Sequence, residues 1–318
     1  MRKYFLILLT IIIFAGCSSA TKNDTDVIRV AAMRGPTAMG LLHLMDENER
    51  GAARNNYEFE LLGSPDMVPP LLVRGEIDIA AIPGNLAAVL YNRADVQALA
   101  VVTLGVLHIV DTTDTIHSVA DLAGRTIYAH GQGITPEIAL NYVLEKNGLT
   151  PGEDVTIEFR SEHAEIAALL ERGVAEIALL PEPFVSTVLS RIDGLRVALD
   201  LSEEWNRVQP DYGLIMSVVI SRREFLRENP EAVAVFMEEY AESVAFVNEN
   251  ISEAAQFAVN FDLVPAVPIA QAAIPRSNIV FMTGEEMRQN LTGFYRVLYE
   301  ANPETLGGAM PGEDFWGG

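Results

Sequence analysis

An α/β protein built as two lobes is predicted by three features of this chain. Short apolar runs alternate with longer helical patterns. The alternation occurs in two successive sets, at residues 27–111 and 112–200, and turns rich in Gly, Pro and Asn punctuate both. Strands alternating with helices make α/β units around a mainly parallel sheet. A length of 318 residues with 49% hydrophobic content suffices for two cores of ordinary domain size.

In the first set, Ile28 to Arg34 reads as a strand, and Gly35-Pro36 turns it into a helix opening near Thr37. Tyr57 to Leu62 alternates with the two-residue period of a half-buried strand. Asp66 is placed to cap a helix whose first turn tolerates Pro69 and Pro70, because backbone N–H groups there lack partners anyway. Ile77 to Ile82 reads as a buried strand ending at Pro83-Gly84, followed by a helix from Asn85 to Asn92 and a β-rich stretch from Val96 to Val110.

The second set repeats this order. Ser118 caps a short helix, and Thr126 to Ala129 is a strand. Gly131-Gln-Gly133 leads into a helix from Thr135 to Asn147, closed by Gly148. Val155 to Phe159 reads as a strand, Ala164 to Arg172 as a helix and Glu176 to Leu180 as a strand. The rest is mostly helical (Glu231 to Asn248, Ile251 to Phe261, Glu285 to Ala301) and too poor in strands for a third sheet domain. It is expected to return to the first lobe. The expected division is residues 27–111 with 203–318 in lobe 1 and 112–202 in lobe 2, with crossovers near 110–113 and 199–204.

Composition narrows the function. The formal net charge is −22, which repels phosphate backbones and argues against nucleic-acid binding. Asp and Glu are scattered, as on a solvated acidic surface. One cysteine permits no internal disulfide, and no Cys/His spacing suggests a structural zinc site. The five histidines, His43, His108, His117, His130 and His163, show no catalytic metal spacing, and no nucleophile elbow or phosphate-cradling loop is present. The expectation is a binder without catalysis, cofactor or metal.

Residues 1–16 read as a secretory signal: Arg2 and Lys3 precede an apolar run from Tyr4 to Phe14 that is shorter than the ~20 residues of a spanning helix. Phe14-Ala-Gly-Cys17 resembles a bacterial lipoprotein lipobox, with Phe14 in place of the usual Leu. The resemblance implies lipidation of Cys17, a flexible tether over residues 17–26, and an extracytoplasmic domain anchored to the bacterial membrane.

Four segments, in order, carry a wider resemblance: Leu71-Leu-Val-Arg-Gly-Glu-Ile-Asp-Ile-Ala80, Asp121-Leu-Ala-Gly-Arg-Thr-Ile127, Gly131-Gln-Gly-Ile-Thr-Pro-Glu137 and Leu169-Leu-Glu-Arg-Gly-Val-Ala-Glu-Ile-Ala-Leu-Leu-Pro-Glu-Pro-Phe184. The chain resembles the periplasmic substrate-binding proteins of ABC importers, nearest the nitrate, sulfonate, taurine and thiamine-precursor group. That implies the type II periplasmic-binding-protein fold, two α/β lobes joined by two crossover strands with the ligand cleft between them. It also implies a monomer that delivers a small polar or heteroaromatic solute to an ABC permease with its ATPase. A solute-sensing lipoprotein is the alternative. A thiamine-pyrimidine synthase of related fold is disfavoured, because its cysteine-rich motif is missing.

Ligands of open α/β sheets bind beyond the carboxyl ends of the strands, where helix starts converge. Four corners qualify. The first is Arg34, Thr37 and Met39 after the first strand; the second is Asn85, equally readable as a helix cap. The third is Gln132, Gly133 and Thr135, which resembles the family's second-lobe ligand loop. The fourth is Glu182, a carboxylate that needs a donor if buried, from a ligand or from an arginine such as Arg34. Tyr212 is a candidate for stacking on a flat ligand, and Trp205 and Trp316 are expected to be packing residues. His130 is the one histidine placed near a ligand loop.

Overall fold

The computed structural model describes residues 27–317; the signal segment, the tether and Cys17 lie outside them. Among the described residues no helix is long and apolar enough to cross a membrane. Among the described residues eleven strands form two sheets: β1 (Ile28–Met33), β2 (Tyr57–Leu62), β3 (Ile79–Pro83), β4 (Val96–Leu104), β5 (Leu107–Asp111), β6 (Thr126–Ala129), β7 (Thr156–Phe159), β8 (Ile177–Pro181), β9 (Arg196–Asp200), β10 (Ile215–Arg222) and β11 (Ile279–Met282). The first sheet has the order β11-β4-β10-β3-β1-β2 and the second β7-β6-β8-β5-β9. In the first, β1 runs parallel to β2 and β3, while β10 lies antiparallel between β3 and β4. In the second, β6 is parallel to β7 and β8, while β5 is antiparallel to β8 and β9.

Several predicted elements coincide with observed ones to within two residues, among them β2, β6 and the helices Gly84–Tyr91, Thr135–Lys146, His163–Glu171 and Pro230–Glu249. Ser118 and Asp121 form a reciprocal capping box at the short helix Val119–Leu122. Asp66 does not cap the helix Val68–Val73; it lies within a 3-10 turn, Pro65–Met67, that precedes it.

The returning segment contributes strands that the local pattern did not reveal. β10 and β11 complete the first sheet, and helices Leu42–Glu49, Pro230–Glu249 and Ile251–Asn260 cover one of its faces through Leu44, Phe236, Tyr240 and Ala254. The stretch from Val96 to Val110 is two strands in different sheets, so the chain changes sheets inside the 27–111 span expected of lobe 1. The first crossover is Gly105-Val106, upstream of the expected 110–113. The second leaves β9 at Asp200 and passes through the helix Leu201–Val208 to β10.

These crossovers touch. A Cβ on Gly105 would fall inside the contact distances of Ser202 Oγ and Leu214. Its carbonyl also accepts a hydrogen bond from Asn278 Nδ2 at 2.5 Å. Gly105→Ala is therefore expected to destabilise the fold by about 1–3 kcal/mol through overpacking. Ser202→Gly in the same chain should recover part of the loss; thermal denaturation of the single and double variants checks this.

Behind the crossovers the lobes share apolar packing. Trp205 is fully buried, with ring centroids 4.6 Å from Tyr142 and 6.0 Å from Phe294. Its Nε1–H donates to the Tyr212 carbonyl at 2.9 Å. Trp316 packs on Phe315 and Tyr295. Both tryptophans serve packing, as expected from the sequence.

Candidate functional site

A cleft of about 740 Å³ lies between the sheets, at the carboxyl ends of β1, β3, β6 and β8. That volume is in the range of small-molecule sites. Residues of both lobes line it: Arg34, Thr37, Asn85, Thr103 and Ser217 from one side, His130, Thr135, His163, Glu182 and Phe184 from the other. The chain turns after β1, β3, β6, β7 and β8 start helices, and Pro36, Asn85, Thr135, His163 and Phe184 in their first turns all line this space.

On the first lobe, Thr37 Oγ1 shares a hydrogen bond with Ser217 Oγ at 2.7 Å, which ties the turn after β1 to β10. Arg34 is exposed and donates from Nη1 to the Asp262 carbonyl at 3.1 Å. Asn85 does not cap its helix; Pro83 takes the cap position and Asn85 sits inside the first turn, half-buried on the cleft. Thr103, near the end of β4, is 1% exposed, and its hydroxyl has no hydrogen-bond partner.

On the second lobe, Gly131 makes the turn after β6. Its φ is +91°, and a Cβ there would come within 2.9 Å of the Pro136 ring, so both backbone and space require glycine. His130 Nδ1 lies 3.2 Å from the Arg160 carbonyl. The His130 and His163 rings meet edge to face at 4.4 Å, and His163 lies 4.8 Å from Phe184. Burial, then the neighbouring His130, pushes the His163 imidazole down to about 4. His163 is therefore neutral near pH 7, and its Nδ1 has no hydrogen-bond partner.

Glu182 is 1% exposed. Its carboxylate accepts from Ser186 N at 3.1 Å and Ser186 Oγ at 3.0 Å, and Arg276 Nη1 lies 3.7 Å away. Burial pushes this carboxyl up, against the opposing pull of Ser186, His108 and Arg276. The donor that the buried carboxylate required comes from its own helix and from Arg276, an arginine of the returning segment, rather than from Arg34.

Of the residues singled out from sequence, the cleft gathers Arg34, Thr37, Asn85, Thr135 and Glu182. Four lie elsewhere. Met39 is fully buried in the core behind the turn, with Sδ 3.5 Å from Ser277 Oγ. Gly133 donates its N–H to Glu137 Oε2 at 2.5 Å, on the outer side of the loop. Gln132 faces a separate surface groove beside Phe159 and Arg160. Tyr212 packs near Trp205 and accepts from Gln209 Nε2 at 2.9 Å, so it serves the packing between lobes. Thr103, His163, Phe184 and Ser217 are cleft residues that sequence reasoning missed. A threonine interrupting the apolar run Ala100-Val-Val-Thr103 was the one available signal for Thr103.

Residues 58–204 match the family model described as ABC transporter, phosphonate, periplasmic substrate-binding protein. A sequence search of curated proteins returns no match. Among solved structures, an ABC transporter protein from Parabacteroides distasonis is similar at 23% identity, over 91% of this chain and 98% of that one, with a TM-score of 0.77. The periplasmic aliphatic sulphonate binding protein SsuA from Escherichia coli is similar at 17% identity, over 87% and 88%, with a TM-score of 0.69. The periplasmic nitrate-binding protein NrtA from Synechocystis PCC 6803 is similar at 14% identity, over 89% and 84%, with a TM-score of 0.62.

Two sheets facing each other across a cleft, in a mixed α/β chain, define the two-lobed periplasmic-binding-protein fold. Residues 58–204 are thus similar to the periplasmic substrate-binding proteins of ABC transporters, and the chain as a whole has their fold.

Proposed function

We propose that this chain is the solute-capturing component of an ABC importer, binding a small polar or heteroaromatic solute between its lobes without altering it. The cleft carries the reading: both lobes contribute side chains to one space of about 740 Å³, while the titratable groups on it lack the mutual geometry of a nucleophile and base. Closure involves rotation about Gly105-Val106 and the segment after Asp200. A solute that touches both lobes favours the closed form by its differential affinity for it. The division into lobe 1 (27–104 with the returning segment) and lobe 2 (107–200) follows the sheets. Arg34, Thr37, Asn85 and Thr135 are the proposed contacts among those read from sequence, with Glu182 shaping the floor. Acylation of Cys17 after removal of residues 1–16 anchors the monomer to the membrane.

The test is a thermal-shift screen with sulfonates, carboxylates, amino acids and aminopyrimidines, followed by recovery of any bound compound. A ligand at a hundredfold excess over its dissociation constant adds about 2.7 kcal/mol of stability. We expect a stabilising compound to be recovered intact and to compact the protein in solution scattering. Chemical conversion of the compound, or no stabilisation by any of the four classes or by uncharged aromatic amides and heterocycles, overturns the proposal. Cys17→Ser is expected to release the protein from membranes, read by fractionation.

A further inference from the structure

The wall of the cleft differs from a simple anion trap. Helix starts hold anions through their unpaired N–H groups, and five open here. Four of them carry proline at the cap or in the first two positions: Pro36, Pro83, Pro136 and Pro183. Each proline removes one donor and places an apolar ring in the wall. A further donor, Ser186 N–H, is consumed by Glu182. Formal charge does not compensate. The lining contains one arginine, Arg34, already donating to a carbonyl, against the carboxyl groups of Glu162 and Glu182.

Within this apolar lining two fully buried side-chain polar atoms have no partner, one on each lobe. Thr103 Oγ1 belongs to β4 of the first sheet, and His163 Nδ1 belongs to the helix that follows β7 in the second lobe. A buried hydroxyl or ring nitrogen left unpaired is costly, and a ligand group in the cleft would remove that cost. We infer that Thr103 and His163 are the polar anchors of the bound solute, one from each lobe, and that the solute is an uncharged molecule with a mainly apolar body rather than an oxyanion. This inference rests on the solute-binding reading and adds to it the ligand class and the two residues that select it. His163, held neutral by its surroundings, can accept or donate a hydrogen bond according to its tautomer without presenting a charge.

The full mature chain is titrated at pH 7.5 with two sets of probes. One set is uncharged (nicotinamide, thymine, indole, benzamide); the other is anionic (methylphosphonate, ethanesulfonate, nitrate, phosphate). Expected is a calorimetrically measured site for at least one uncharged probe and none for the anions at equal concentration. Thr103→Val, of equal shape, and His163→Phe should each weaken that binding by about tenfold or more, the scale of one buried hydrogen bond. Thr103→Ser, which restores a hydroxyl, should retain it. An unchanged melting temperature of unliganded Thr103→Val separates lost contact from lost folding. Anion binding that is indifferent to both substitutions overturns the inference while leaving the solute-binding reading intact. An uncharged probe bound equally well by all variants removes the anchor roles and overturns it as well. Silence of both sets overturns the solute-binding reading, and this inference with it.

Discussion

Replacing Asp78 by alanine is expected to cost about 3 kcal/mol of folding stability while leaving solute affinity unchanged. Asp78 stands in the Arg74-Gly-Glu-Ile-Asp78 segment that carried the family resemblance, and the structure supplies its physical reason. The side chain is 2% exposed and accepts from Arg29 N, Nε and Nη2 at 3.0, 2.9 and 2.7 Å, and from Arg222 Nη2 at 2.7 Å. It thereby ties β1 to β10 across β3, at the end of the sheet remote from the cleft. Removing one partner of a buried ion pair costs about 3–5 kcal/mol. The lower end applies because the residual arginines are 37% and 18% exposed and can recover water. Urea denaturation reads the loss, and calorimetry on the variant reads the affinity. A large fall in affinity at intact folding would show that this end of the sheet does couple to the cleft.

The second lobe has a comparable clasp. Asp111 is fully buried and accepts from Thr113, Thr115 and Ile116 backbone N–H groups and from Arg196 Nη2. Burial alone pushes its carboxyl up, but the hydrogen bonds from Thr113, Ile116 and Thr115 hold it below the usual carboxylate range. Each lobe thus spends a buried aspartate on fixing its own sheet, which leaves the cleft ends to the helix-starting turns.

What could be read without coordinates follows from the range of the interactions that decide each element. β2, β6 and the capping box at Ser118 depend on neighbours a few residues away, so period and cap chemistry placed them. β10 depends on partners far along the chain, with Ile220 opposite Ala80 in β3 and Ala98 in β4. No local pattern distinguishes its apolar run from a helical stretch. The run from Val96 to Val110 keeps its β character while changing sheets at Gly105, and a change of partner leaves no mark on periodicity. At the site, the rule that ligands collect beyond strand ends located the four corners but not the side-chain directions. Met39 shows why: a helix of only four residues, Pro36–Met39, turns Ala38 and Met39 into the core. Tyr212 was read from its flat ring alone, and its place was set by Trp205 and Gln209, close in sequence but arranged by the second crossover. His163 is one of five histidines, and a single histidine at a helix start carries no cue in the sequence. Its environment comes from His130 and Phe184, which belong to other turns.

That environment makes stability depend on pH with a definite sign. In the unfolded chain His163 titrates near its ordinary value of 6.5, while in the fold burial and His130 lower it to about 4. Between these values the unfolded chain binds the proton and the folded one does not, so folding stability falls as pH drops through this window. The difference corresponds to roughly 3 kcal/mol when complete. His163→Gln, which cannot ionise, should lose less stability between pH 6.5 and 4 by about that amount, with the two proteins keeping a constant difference above pH 7.5. Taking the difference cancels the titrations that both proteins share and that do not couple to His163. Chemical denaturation at half-unit pH steps checks it, and parallel curves from pH 7.5 to 4 would show that His163 is solvated. Loss of solute affinity over the same acid range should accompany the loss of stability, because a proton on His163 places a charge in a wall built from prolines, Phe184 and an unpaired threonine.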